Sequence, residues 1–133
     1  MRLSRIAICG QLFSGLTRGS FASLRVEGVD GKGVLVGTRQ DGRAIEVSGM
    51  SDGTCDQLYL ALRVASLDHY FSSHGPVPFI VDDVLLSFDD ERASTALSIL
   101  NELSARTQIV FFTHHHHLVD LAKGATQAAV VEI

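Results

Sequence analysis

Two carboxylates stand side by side at the end of a short apolar run, Phe79-Ile80-Val81-Asp82-Asp83. α/β sheets hold their ligands outside the carboxyl ends of their strands, so acids delivered there are placed for chemistry. In a phosphoryl-transfer site Asp82 would hold Mg²⁺ directly or through water, and Asp83 would orient and polarise an attacking water. The plainer alternative is an acidic strand end facing solvent. A second cluster, Met50-Ser51-Asp52-Gly53-Thr54, precedes an apolar helical run. The Ser51 hydroxyl, the bare backbone of Gly53 and the positive end of a helix would together form an anion site. Thr54 and Gln57 also have capping-box spacing, which would make the same segment a simple helix start. The third candidate is Thr113-His114, closing the apolar run Gln108–Thr113. A histidine there would lie beside the acid-ended strand, able to donate to a phosphate oxygen. It opens a run of four, His114–His117, which equally fits a surface run or a histidine metal site.

These groups need elements to hold them. Residues 1 to about 22 read as a helix followed by a break at Gly15, Gly19 and Ser20. From there the texture turns to β: Leu24–Val29, Val34–Thr38 and Ala44–Val47 are short runs separated by Asp30-Gly31-Lys32-Gly33 and Gln40-Asp41-Gly42-Arg43. Both separators are turn chemistry, and a three-strand meander is expected. Gln57–Tyr70 is apolar almost all round, which predicts a largely buried helix. Asp90–Ala105 carries Ala93, Ala96, Leu97, Leu100 and Leu103 on one face, with acids at its start and Arg106 after its end, in keeping with the helix dipole. His115–Lys123 reads as a further helix and Ala128–Ile133 as a last strand. In a helix, His115, His116 and His117 would point about 100° apart and could not converge on one ligand. Apolar strands joined by helices predict an α/β fold with a parallel sheet.

Composition narrows the function. The chain has 133 residues, 46% hydrophobic and 20% charged, with a formal net charge of -4, so nothing suggests bulk attraction to nucleic acid or anionic lipid. No apolar run approaches the ~20 residues of a membrane span. The opening Met1–Gly10 is basic then briefly apolar, but Gln11 and Arg18 cut it short as a secretion signal. Cys9 and Cys55 share no metal-ligand spacing and read as free thiols, so a cytoplasmic location is expected.

The order of the three candidates is more specific than any one of them. Signature-like loop, long helix, acid-ended strand, Asp-rich turn, helix and histidine-ended strand is the order of the second lobe of ABC ATPases. Ser51 and Gly53 resemble that family's signature loop, Asp82 and Asp83 its Walker B pair, Ser87-Phe88-Asp89 its D-loop and His114 its switch histidine. The stretch from Gly15 to Leu24 and the strands after it are similar to the place where SMC-like proteins return from their coiled coil into the head. The YhaN-like bacterial ATPases share the Ser-Asp-Gly-Thr form of the signature. The resemblance implies the parallel-sheet C-terminal lobe of an ABC, P-loop-type ATPase head with a small antiparallel meander on its N-terminal side. It divides the chain into residues 1–22 (coiled-coil return and first helix), 23–49 (meander) and 50–133 (motif-bearing lobe). Two departures stand out. Asp52 lies where most such proteins have glycine, bringing a carboxylate near a phosphate site. Asp83 lies where most have glutamate, shorter by one C–C bond (~1.5 Å), so slow turnover is expected.

A P-loop requires Gly-x-x-x-x-Gly-Lys-Ser/Thr between a strand and a helix. The one near-match, Gly10–Thr17, has Leu16 in place of the lysine, and its context fits a helix end. The resemblance therefore implies partners: an upstream P-loop lobe of the same protein, and a second head in a nucleotide-sandwich dimer. ATP and Mg²⁺ would be bound in the assembled head. There Asp82, Asp83 and His114 would serve the nucleotide on the same head's P-loop. Ser51 and Gly53 would contact the γ-phosphate held by the opposite head, and Asp89 would sit at the seam. DNA maintenance, with DNA and a nuclease subunit in the full assembly, is what family membership implies, though no basic patch here points to DNA. Two rivals stay open: a metal-dependent phosphoesterase built from Asp82, Asp83, Asp89 and His114–His117, and a non-catalytic association module.

Overall fold

The computed structural model describes residues 5–86 and 88–133. Asp30 and Gly31 both take positive φ, 50° and 75°, closing a two-residue turn between β1 (Phe21–Val29) and β2 (Lys32–Arg39). Left-handed backbone at both central positions matches the right-handed twist of paired strands. β2 then pairs with β3 (Ala44–Glu46), completing an antiparallel sheet of order β1-β2-β3. At the second turn the Asp41 carboxylate accepts from the Arg43 amide (3.0 Å) and from its Nε (2.8 Å). β1 begins three residues before the sequence suggests. A bulge between Phe21 and Ser23 shifts the register, so Phe21 and Leu24 both face inward despite their odd spacing.

Helix α1 (Arg5–Leu16) contributes Cys9, Phe13 and Leu16 to this sheet's buried side, and the Phe13 and Phe21 rings lie 4.9 Å apart. The Phe21 ring lies so close over Gly37 that a Cβ there would come within 2.7 Å of it. Thr17 ends the helix: its hydroxyl donates to the Phe13 carbonyl (2.8 Å) and accepts from the Phe21 amide (3.3 Å). The P-loop near-match thus lies in α1 and its terminus, not in a loop between strand and helix. A short 3-10 helix, Val47–Gly49, leads to α2 (Asp52–His74). α2 is longer than expected at both ends and is buried along one face only. Gln57, Leu58, Leu60, Ala61, Val64 and Ala65 are inside, while Tyr59, Leu62 and Tyr70 are exposed. Gln57 is fully buried, and its Nε2 donates to the Leu16 carbonyl at 2.7 Å, joining α2 to the end of α1. The chain to this point, Met1–Ser73, forms one compact unit and His74–Ile133 a second.

The second unit is built on two parallel strands, β4 (Phe79–Asp82) and β5 (Ile109–Phe112), paired from Phe79↔Ile109 to Asp82↔Phe112. α3 (Asp90–Leu103) connects them, burying Ala93, Ala96, Leu97, Leu100 and Leu103, the face expected from the sequence. The Asp89 side chain caps α3 by accepting from the Arg92 amide at 2.8 Å. α4 (His116–Ala125) packs on α3 through its buried Leu118. Thr107 donates its hydroxyl to the Val77 carbonyl, tying the start of β5 to the start of β4. The expected last strand at 128–133 is absent: these residues take no regular secondary structure, with Val131 80% exposed. A strand exists only with a partner, and among the described residues β4 and β5 pair with each other alone. The architecture is nevertheless α/β, an antiparallel three-stranded sheet followed by a parallel pair joined through α3.

Candidate functional site

Parallel pairing brings the ends of β4 and β5 together, and with them Asp83 and His114. The Asp83 amide donates to the Phe112 carbonyl (3.0 Å), carrying the ladder one step beyond β4. There the chain turns sharply, because Asp83 adopts φ 49°. That region is uncommon for a residue with a side chain, although Asp tolerates it better than most. His114 Nε2 lies 2.8 Å from Asp83 Oδ2, the ring N–H donating to the carboxylate. The two differ in freedom: the Asp83 side chain is 15% exposed, that of His114 83%. Asp83 Oδ1 is buried and has no hydrogen-bond partner. A polar oxygen shielded from water without a donor is costly, and such groups call for a functional or ligand-related explanation.

Asp82 is arranged differently. It ends β4 on the same exposed face as Ile80, and no partner for its carboxylate is found among the described residues. An exposed, unbonded carboxylate one residue from the Asp83–His114 pair fits the limited demand Mg²⁺ makes of protein. That ion retains waters and takes one or two carboxylates together with phosphate oxygens.

The other expected site residues are committed locally. Both oxygens of Asp89 face Arg92, one accepting its amide and the other 3.6 Å from its Nε. Of the D-loop segment, Ser87 lies outside the described residues. In the first unit Ser51 caps α2: its Oγ accepts from the Thr54 amide (3.2 Å) and donates to Thr54 Oγ1 (2.8 Å). The segment is thus a helix start, as the plainer alternative expected, but Ser51 is the cap and Thr54 lies in the first turn, so the Thr54–Gln57 pair is not the capping box. Asp52 and Gly53 fall in the first helical turn, whose amides lack intrahelical acceptors. The exposed Asp52 carboxylate is favourable at this positive end, and any phosphate would compete with it.

The histidine run divides rather than forming one helix start. His115 is not helical but is the N-cap position of α4, its amide donating to Thr113 Oγ1 at 3.1 Å. Its ring lies 5.4 Å from that of His114. One ligand atom each from Asp83, His114 and His115 can be chosen so that all lie within 4.8 Å of one another. Sequence reasoning placed His115 in the helix with His116 and His117, from which the three could not converge together, and kept it only in the rival metal-site reading. The available signal was Thr113, whose hydroxyl can hold the amide two residues on and delay a helix. His117 is engaged elsewhere, its Nε2 2.6 Å from Asp90 Oδ1, which raises its pKa above the usual imidazole value. Asp82, Asp89, His116 and His117 do not join the three-residue cluster, so the broad constellation envisaged for a phosphoesterase is not assembled among the described residues.

No family model matches the chain. Solved structures show its fold. An SMC ATPase studied for ATP-driven dimerisation and DNA-stimulated activation superposes over 92% of this chain and 72% of its own, with a TM-score of 0.69 and 17% identity. The Smc head of Pyrococcus furiosus with an extended coiled coil, bound to the C-terminal domain of ScpA, gives 0.68 over 92% of this chain and 30% of its own at 16% identity. The SMC head of Thermotoga maritima gives 0.64 over 94% and 41% at 21% identity. The chain has the fold of the C-terminal lobe of an SMC-type ATPase head.

The sequence narrows this further. Over 112 residues the chain is 34% identical to the uncharacterised protein YhaN of Bacillus subtilis (strain 168), a match spanning 84% of this chain and 11% of YhaN. The solved structures bear out the resemblance to SMC-like heads, and the match to YhaN bears out the resemblance to the YhaN-like group. Among the described residues no helix is long and apolar enough to cross a membrane.

Proposed function

We propose that this chain is the C-terminal lobe of an SMC-like ABC ATPase head, serving ATP-dependent head dimerisation and slow ATP hydrolysis in DNA maintenance. Residues 1–133 would form one half-head, and the P-loop would come from an upstream lobe of the same protein. The observation that carries this reading is the Asp83–His114 pair, 2.8 Å apart at the carboxyl ends of adjacent parallel strands, with the unbonded Asp82 next to it. Mg²⁺ and the phosphates it bridges would supply charge neutralisation for phosphoryl transfer. Asp82 would bind the ion. Asp83 would accept a hydrogen bond from the attacking water, and His114 would release Asp83 to donate to a phosphate oxygen. Ser51 and Gly53 would meet the nucleotide of the opposite head. For Ser51 this means giving up the bond to Thr54 Oγ1, since its single hydroxyl hydrogen cannot serve both. Asp89 would lie at the seam between heads while still capping α3.

Two variants in the head reconstituted with its P-loop lobe test this division of labour. Asp83→Asn should abolish hydrolysis and preserve ATP-driven dimerisation, whereas Asp82→Asn should weaken Mg²⁺-dependent nucleotide binding itself. Indistinguishable behaviour in binding and turnover would refute it. The chain alone should neither bind ATP tightly nor hydrolyse it, because the P-loop amides and lysine supply most phosphate contacts. Micromolar affinity for Mg-ATP in calorimetry would contradict this.

A further inference from the structure

We propose that Asp83, His114 and His115 form a binding site for a divalent transition ion of the Zn²⁺ type. An ion there would occupy the two groups assigned above to hydrolysis, so it would hold the head inactive. That consequence rests on the proposed function; the binding site does not. Two imidazoles and a carboxylate, with water in the fourth position, are a donor set that Zn²⁺ accepts. The ligand atoms already lie within 4.8 Å of one another, and His114 Nε2 is 2.8 Å from Asp83 Oδ2. Around an ion with bonds of ~2.0 Å, tetrahedral donors stand roughly 3.3 Å apart. The His114 ring must therefore retreat by a fraction of an ångström while His115 swings inward. Both rings are exposed and turn at little cost, whereas the Asp83 carboxylate is held by burial and by its left-handed backbone.

Two features favour a cation at this place. Asp83 Oδ1 is buried with no donor, an electrostatic deficit that a positive ion beside the carboxylate would offset. The Thr113 hydroxyl holds the His115 amide and keeps this residue out of α4, so His114 and His115 leave the chain as neighbours and not from successive positions of a helix. His117 is bound to Asp90, which removes it from competition for the ion.

Zn²⁺ titration of this chain by calorimetry, with Co²⁺ absorption as a second probe of geometry, tests the site directly. Asp83→Asn and His115→Gln should each weaken Zn²⁺ by at least about tenfold, the size of effect seen when a metal site loses a key group, and His116→Gln should leave it unchanged. Asparagine keeps the left-handed backbone accessible, so Asp83→Asn should fold. If Asp83→Asn binds Zn²⁺ as tightly as the wild type, the ion sits on the exposed histidine run and the proposal falls. In the assembled head, Zn²⁺ should inhibit Mg-ATP hydrolysis, and His115→Gln should resist that inhibition with unchanged basal turnover. Equal inhibition of both would overturn the regulatory part. A head with no ATPase at all would undercut the functional reading and leave the nucleotide-free binding result standing.

Discussion

The start of α2 and the ends of β4 and β5 both gather residues suited to phosphate chemistry, yet they use them in opposite ways. At Ser51 each hydrogen bond has a local purpose: the hydroxyl caps the helix and holds Thr54, and Asp52 complements the dipole. Folding alone accounts for the whole arrangement. At Asp83 folding alone leaves a remainder. A non-glycine residue sits at φ 49°, one carboxylate oxygen is buried without a donor, and the other is bound to an exposed histidine. Uncompensated polar groups and unusual backbone of this kind gather at functional sites. A motif whose every bond is explained by local structure is weaker support for function than one that local structure cannot explain.

Substitutions can break or sharpen this contrast. The largest effect on stability is expected at Gln57, whose amide joins α2 to the end of α1. Gln57→Leu keeps much of the volume but leaves the Leu16 carbonyl without this donor, at a cost of about 1–3 kcal/mol, measurable by urea unfolding. No change would mean that the loss of the donor is offset, by water or by removal of the buried Gln57 Oε1, which has no partner. Next comes Ser51, where cap and signature separate cleanly. Ser51→Ala should destabilise by about 1 kcal/mol, and Ser51→Asn should restore most of it by capping in its turn. In the assembled head both should lose ATP-driven dimerisation, because neither carries the hydroxyl. If Ser51→Asn dimerises normally, the serine is only a cap and the contrast is complete.

The thiols should differ in rate. Burial raises the Cys9 pKa to about 11, while Cys55 is half-exposed near the start of α2. A thiol reagent at neutral pH should modify Cys55 first and Cys9 only as the protein opens. Similar rates for both would show that α1 opens readily. The smallest effect is expected at His117, whose pKa is raised chiefly by its hydrogen bond to Asp90, with the Asp90 charge next. A raised folded-state value stabilises fully below the unfolded value of about 6.5 and is lost as pH rises through the folded value. The wild type should therefore lose slightly more stability than His117→Gln as pH rises across neutrality. The pair is exposed, so the difference should shrink in salt.

Much of the fold was legible because its signals are local. Asp30-Gly31 specified a turn, the face of α3 repeated with helical period, and the apolar run before Asp82 read as a strand, although only its Phe79 and Val81 face is buried. What failed depended on partners that one chain's pattern does not display. Residues 128–133 have strand composition but no strand beside them. α2 is apolar on both sides, yet only one side is covered in this unit. The strand-end pair followed from sequence order and resemblance, whereas the positive φ of Asp83 and the release of His115 from α4 depend on backbone detail. Thr113 was the only local hint of the second, and a single hydroxyl does not outweigh an apparent helix start until its bond is seen.

The central claim is that Asp83 and His114 act together in hydrolysis and the rest of the histidine run does not. Steady-state ATPase of the assembled head, freed of transition metal by a chelator that spares Mg²⁺, tests it most directly. His114→Ala should lower turnover by about 10- to 1,000-fold, the range for losing one transition-state donor or acid–base group. Joint replacement of His115, His116 and His117 by Gln should leave turnover within a few-fold at matched folding. Loss of activity in that triple variant with His114 intact would contradict the assignment.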